Sequence, residues 1–327
     1  MKKKKILLLN DTSLICHHGC NLLMNTIYDL LRENNFIIKK KIFYEENYLD
    51  YVNNIKNFDI ILINGEGTIH GKGNADANKV YEILEFISYV KKNYKIPIVI
   101  FNSTIASLKK KQLAILKLVD KIYVREKYSY NYLKKKNIKS KILPDLLSLL
   151  TLKKYENNKD IIVTDSSIKQ TTEKLLNFSN IRNYRYIPIL YNNYLRYLRF
   201  FTFKFALKFK VYFLVNFYLY LKNLYLKKFI KKISKSKFII TGRFHAIFIC
   251  LAMMKPFYTF QSDTYKIRGL INMIGIKKRM IKIQNIQNLK LNKFSQSEIS
   301  QINKFKISSR KKFFKFVKEL QYLRTLK

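Results

Sequence analysis

The chain has 327 residues, 48 % of them apolar, which is enough for one large domain or two smaller ones and excludes a chain disordered throughout. Lys and Arg number 64 against 21 Asp and Glu, a formal charge of +43. That excess points toward anionic partners: phosphorylated substrates, an anionic membrane face or nucleic acid. Part of it is codon bias, because Lys, Asn, Ile, Tyr and Phe abound while Trp is absent. Three cysteines, Cys16, Cys20 and Cys250, make no disulfide framework and fit a reduced, cytoplasmic setting. The apolar run Ile6–Leu9 is too short for a signal-peptide core, and no uncharged apolar segment is long enough to span a bilayer.

In chain order, residues 4–10 read as a buried strand, followed by a loop and a helix from Gly19 with Leu22, Leu23, Thr26, Ile27, Leu30 and Leu31 on one face. Strands are predicted at 36–43, 59–64, 97–101 and 120–124, with helices over about 78–92 and 126–136. Leu143-Pro144-Asp145 closes this half. The run at 157–160 reads as a linker, and a new strand at 161–164 opens a second unit with further strands at 185–189, 237–241 and 256–260. The alternation of strands and helices predicts parallel sheets in an α/β chain. Two domains are expected, 1–156 and 157–327, facing across a cleft. A basic helix is predicted over 304–327.

Segment 190–232 has a different texture, rich in Tyr, Phe and Leu and studded with Arg and Lys, and no acidic residue occurs from Lys174 to Ser262. Two readings stand: a basic aromatic helix pair lying on an anionic membrane surface, or a core-packing pair whose outer face has drifted to lysine.

Rare residues gather in three places. All four histidines lie in or just after loops that follow predicted strands, where α/β sheets bind ligands. The first place is Asn10-Asp11-Thr12-Ser13 with His17-His18-Gly19-Cys20, suited to oxygen or anion binding at a helix start. No metal is expected there, because Cys16, His17, His18 and Cys20 lack zinc-site spacing. The second is Asn64-Gly65-Glu66-Gly67-Thr68-Ile69-His70-Gly71, where Gly65 and Gly67 admit close ligand approach and Glu66 or His70 offers an acid or base. It is neither a dinucleotide fingerprint nor a P-loop. The third is Thr241-Gly242-Arg243-Phe244-His245-Ala246, in which Arg243 supplies a planar anion fork and His245 a proton.

These stretches, with Val124-Arg125-Glu126-Lys127-Tyr128-Ser129, Leu143-Pro144-Asp145, Pro256-Phe257, Ser262 and Lys266-Ile267, resemble the polysaccharide pyruvyl transferase family in order and spacing over about residues 4–275. Segment 195–232 lies outside that signature. The resemblance implies a GT-B-like fold of two Rossmann-like domains, with 1–156 on the acceptor side and 157–327 on the donor side. It also implies transfer of a pyruvyl group from phosphoenolpyruvate to two sugar hydroxyls as a cyclic ketal, with no cofactor. On that reading Arg243, Arg125 and Lys266 hold the donor, His245 is the general acid, and Glu66 or His70 takes the hydroxyl proton. Asn10, Asp11, His17, His18, Gly65, Gly67 and Ser262 complete the substrate-binding set. The expected partner is a glycan or lipid-linked glycan of exopolysaccharide or capsule biosynthesis, met in the cytoplasm or at the inner membrane face, and no nucleic acid. A metal-independent glycosyltransferase using a nucleotide sugar is the alternative, and a non-enzymatic binder of anionic surfaces a further one.

Overall fold

The structure, a computed structural model, describes residues 3–66, 69–70, 74–153, 160–191, 193–201, 205, 209 and 211–323. The expected linker at 157–160 falls outside them except for Asp160. The chain divides into two compact units. The first holds Met1–Thr12, Met24–Leu146 and Ser309–Lys327, and the second Ser13–Leu23 and Leu147–Ser308. The division therefore differs from a single cut at 156/157: a short N-terminal segment joins the second unit and the C-terminal stretch joins the first.

The first unit is a six-stranded parallel sheet in the order β2-β1-β3-β4-β5-β6. Its strands are β1 (Lys4–Asp11), β2 (Phe36–Phe43), β3 (Ile60–Asn64), β4 (Ile98–Ser103), β5 (Lys121–Val124) and β6 (Lys141–Ile142). Parallel strands covered on both faces need continuous apolar runs, and β3 and β4 are buried along their whole length. Helices α1 (His18–Glu33), α2 (Asn74–Asn93), α3 (Lys110–Leu116) and α4 (Lys127–Lys135) connect them. On α2, Val80, Ile83, Leu84, Ile87 and Val90 recur at helical spacing and join Leu7, Leu9, Ile61, Ile63, Ile98 and Ile100 in one core. The C-terminal stretch of α10 (Gln296–Tyr322) belongs to this unit because Phe316 packs against Phe101 and Tyr123, with ring centroids 5.9 and 4.9 Å apart. Glu319 adds a hydrogen bond from Tyr123 at 2.5 Å and an ion pair with Lys141 at 2.6 Å.

The second unit is a four-stranded parallel sheet in the order β10-β9-β7-β8, with β7 (Ile161–Ser166), β8 (Arg185–Tyr186), β9 (Phe238–Gly242) and β10 (Phe257–Thr259). Its helices are α5 (Lys169–Ile181), α6 (Asn193–Phe201), α7 (Tyr212–Ser234), α8 (Phe244–Ala252), α9 (Lys266–Ile274) and the start of α10. The strand expected at 185–189 stops at Tyr186; Pro188 has no N–H to continue the ladder, and the Ile189 amide donates instead to Asp165 at 2.8 Å.

Both sheets start at an inner strand and reverse direction beside it, so each has a topological switch point, at β1/β3 and at β7/β9. Ligands of open α/β sheets bind outside the strand carboxyl ends at such points. The two inner strands also end alike, in Leu-Leu-Leu-Asn-Asp-Thr-Ser at 7–13 and Ile-Ile-Val-Thr-Asp-Ser-Ser at 161–167.

Candidate active site

In the second unit the switch point is charged. Arg243, at the end of β9, donates from Nε to Asp165 Oδ2 at 2.8 Å, and its NH2 nitrogen donates to the same oxygen. Asp165 is the last residue but one of β7 and is 3 % exposed. Its other oxygen takes the Ile189 amide, so the carboxylate is anchored and in turn fixes the guanidinium. Sequence reasoning missed Asp165; the signal was the repeat of the β1 ending. His245 follows in the first turn of α8 and is 7 % exposed.

Segment Ser13–Leu23 is tied to the same sheet edge. His17 forms an isolated bridge with Leu190, and the His18 amide donates to the Ile189 carbonyl at 3.0 Å. Lys222, fully buried on α7, donates from Nζ to the Ile15 carbonyl at 2.6 Å and to that of Ser13, with Tyr191 and Tyr218 around its ammonium. Gly19 lies against His245, and a Cβ at Gly19 would overlap both the ring and the Cβ of that histidine. The glycine is required here by close packing.

His17 meets His245 edge-on, ring centroids 5.6 Å apart. Its Nδ1 accepts the Gly19 amide at 2.9 Å and the Cys20 amide at 3.2 Å. Burial, then the charges of His245, Arg243, His18 and Lys266, hold its pKa well below the ordinary imidazole value. His17 is therefore neutral, and with Nδ1 accepting, its proton sits on Nε2. It is a fixed hydrogen-bond donor.

Among the described residues, His17, Cys20 and His245 bring ligand atoms within 4.8 Å of one another. This is not the set considered from spacing. Cys16 faces the Tyr218 hydroxyl at 3.2 Å, and His18 stacks on Phe229 with centroids 4.3 Å apart. The trio suits a cation poorly, because a lone pair of His17 is spent on two amides and Arg243 and Lys266 add positive charge around it. The donors and charges fit an anion. Lys266 opens α9, 3.2 Å from Asp263, and the Ser262 hydroxyl donates to the Thr264 carbonyl at 2.9 Å.

His18 is 7 % exposed between Tyr191 and Phe229, a packing position in place of the expected substrate contact. Burial, with help from Lys222 and Lys232, lowers its pKa from 6.5 to about 3. Unfolded, it takes a proton below pH 6.5; folded, it does so only near pH 3. The folded chain binds fewer protons in that window, so this contribution to stability falls with pH by about 1.4 kcal/mol per unit below 6.5. Denaturant melts between pH 7 and pH 5 are expected to lose roughly 2 kcal/mol to this residue, and His18→Phe to flatten that slope.

In the first unit, the β1/β3 switch point is polar. Thr12 donates to Glu66 Oε2 at 2.6 Å. Asn64 donates to the Asn10 carbonyl at 3.2 Å, Asn10 donates to the Asn64 carbonyl, and Asn102 donates to Asn64 Oδ1 at 3.3 Å. Asn10 and Asn102 both have left-handed backbones, φ 60° and 54°, which asparagine tolerates better than most residues. Asp11 accepts the Tyr28 hydroxyl. The Gly65 amide donates to the Phe101 carbonyl at 2.8 Å, and a Cβ there would run into Ser103. His70 is 7 % exposed and bridges Ala106, while Gly67 lies outside the described residues.

Arg125 departs from expectation. It is 4 % exposed, donates from Nε to Thr104 at 2.7 Å and pairs with Asp145 at 3.2 Å. A buried, paired guanidinium is structural, so Arg125 and Asp145 are two ends of one internal bond, and Arg125 is held there in place of the expected donor contact. Glu126 beside it caps α4, accepting the Ser129 amide at 2.9 Å.

The model of the polysaccharide pyruvyl transferase family matches residues 17–264. The chain belongs to this family. It is accordingly a transferase. The match runs from His17 to the Ser262-Asp263-Thr264 turn, so it includes Asp165, Arg243 and His245. Curated proteins gave no match. Among solved structures, an uncharacterised Klebsiella pneumoniae protein is 14 % identical over 86 % of this chain and 93 % of its own, with a TM-score of 0.51. A UDP-GlcNAc 2-epimerase from Methanocaldococcus jannaschii, in complex with UDP-GlcNAc and UDP, is 13 % identical over 94 % and 99 %, with a TM-score of 0.48. A putative UDP-N-acetylglucosamine 2-epimerase from Listeria monocytogenes is 11 % identical over 92 % and 91 %, at 0.46. The family member shares its fold with the Klebsiella protein, and its two parallel sheets fit the Rossmann-like α/β class.

Proposed function

We propose that this pyruvyl transferase family member takes the pyruvyl group from phosphoenolpyruvate and sets it on two hydroxyls of a cell-surface glycan precursor as a cyclic ketal. The observation that carries this reading is the anion-suited edge of the second sheet: Arg243 locked by Asp165, neutral His17 with its proton on Nε2, and His245 in the first turn of α8 packed against Gly19. Arg243 and Lys266 hold the carboxylate and phosphate of the donor. His17 donates a hydrogen bond and adds no charge. His245 gives a proton to the methylene carbon as a sugar oxygen bonds to the adjacent carbon. The second hydroxyl then forms the other carbon–oxygen bond while the bond to phosphate breaks. Two hydroxyl protons are released; relayed by the base that takes them, one passes on to restore His245 and the other leaves with phosphate. We assign the glycan to the first unit, with Glu66, oriented by Thr12, as the carboxylate that takes a hydroxyl proton and His70 as a second acceptor of that role. The acceptor is a cytoplasmic precursor, free or lipid-linked.

Phosphate release from phosphoenolpyruvate is expected only when a glycan acceptor is present, with the acceptor gaining a carboxylate-bearing ketal detectable by mass spectrometry. Release of a nucleotide from a sugar donor, with phosphoenolpyruvate inert, would instead mark a glycosyltransferase.

A further inference from the structure

Helix α7 has two unlike faces. Val215, Tyr218, Lys222, Leu226, Phe229 and Ile233 recur at three- and four-residue steps and are buried. Phe213, Phe217, Tyr220 and Leu224 recur at the same steps on another face and are exposed, Phe213 by 75 % and Tyr220 by 59 %. That stripe continues into Lys227, Lys228 and Lys231, all exposed. Helix α6 adds Tyr194, Tyr197, Phe200 and Phe201, each at least 60 % exposed, with Arg196 among them. Drift of a solvent face to lysine does not produce this pattern, because the exposed positions are aromatic first and basic only toward the helix end. A concentration of exposed aromatics marks a surface that is covered in use.

Charge selects the occupant. No acidic residue lies between Lys174 and Ser262, so the patch complements an anionic partner. A second copy would set +43 against +43, with the same lysines on both sides of a symmetric contact. Among the described residues no helix is long and apolar enough to cross a membrane. We propose that α6 and α7 dock on an anionic lipid bilayer. The aromatics enter the boundary between headgroups and acyl chains, and Lys227, Lys228 and Lys231 lie on lipid phosphates. This inference is independent of which donor the enzyme uses.

The chain has no tryptophan, so Phe213→Trp introduces a single indole on the stripe, excited apart from the tyrosines. With the full chain in physiological salt, vesicles containing phosphatidylglycerol are expected to shift its emission to the blue, and lipids brominated in the acyl chain to quench it. Vesicles of phosphatidylcholine alone should do neither. Adding Phe217→Ser and Tyr220→Ser keeps the net charge and should weaken vesicle binding about ten-fold. Lys227→Gln, Lys228→Gln and Lys231→Gln should cost roughly five-fold each. The same charge removed from α10, by Lys311→Gln, Lys312→Gln and Lys315→Gln, should cost distinctly less. All these positions are exposed, and circular dichroism melts confirm that the variants fold. The proposal is overturned if the emission ignores anionic vesicles, if it responds to duplex DNA in their place, if the serine variants bind as tightly as the parent, or if the shift follows protein concentration with a dimer in sedimentation.

Discussion

Replacing His245 with glutamine is expected to lower the rate of pyruvyl transfer by about 10²–10⁴, the usual loss when a positioned proton donor is removed. Glutamine keeps the size and polarity of the side chain but cannot carry the proton, so binding of the donor should survive. A second variant tests the same step without touching the histidine. Gly19→Ala places a methyl group inside the space of the His245 ring and Cβ, so the start of α8 must give way. A displacement on the order of 1 Å at a reacting group costs about 10²-fold in rate. The two losses should not add, because both act through one side chain. A Gly19→Ala enzyme with full turnover would remove His245 from the mechanism, whereas a variant that fails to melt cooperatively would be scored on stability alone.

The second large effect is on stability. Arg125→Leu removes the ion-pair partner of the buried Asp145 carboxylate, and Asp145→Leu removes that of the buried guanidinium. Each is expected to cost about 3–5 kcal/mol in denaturant melts, while the double replacement should recover much of that loss, since a pair of apolar side chains requires no desolvated charge. If Arg125 were chiefly a donor ligand, the single variants would melt normally and lose phosphoenolpyruvate binding. The pair accounts for two of the recognisable motifs, 20 residues apart in the chain, as one interaction.

Much of this architecture was legible in advance because parallel strands buried on both faces must be written as apolar runs. β1, β3, β4, β7 and β9 lie close to where those runs placed them. Short elements escaped: β6 has two residues, and α3 has seven, of which only Leu116 is fully buried. The membership of Ser13–Leu23 in the second unit was invisible, because its ties are main-chain bonds to Ile189 and Leu190 and main-chain carbonyls gripped by Lys222, some 200 residues away and written like any surface lysine. Arg243 and His245 stood out as rare residues at a strand end, but the partner of Arg243 did not. Asp165 ends a strand without glycine or histidine nearby, and only its likeness to the β1 ending marks it. His18 misled for a related reason. A histidine in a loop reads as a ligand until Tyr191 and Phe229 are seen on either side of it.

Phosphoenolpyruvate is the ligand proposed for the edge of the second sheet. The most direct measurement is ligand-selective thermal stabilisation of the full chain, with phosphoenolpyruvate set against a panel of nucleotide sugars and with phosphate and sulfate as controls for its +43 charge. At about 100 times its dissociation constant, a specific ligand adds about 2.7 kcal/mol of stability. Phosphoenolpyruvate is expected to exceed both inorganic anions and every nucleotide sugar, and Arg243→Ala to abolish the difference. Stabilisation by a single nucleotide sugar, with phosphoenolpyruvate no better than sulfate, would contradict the proposal.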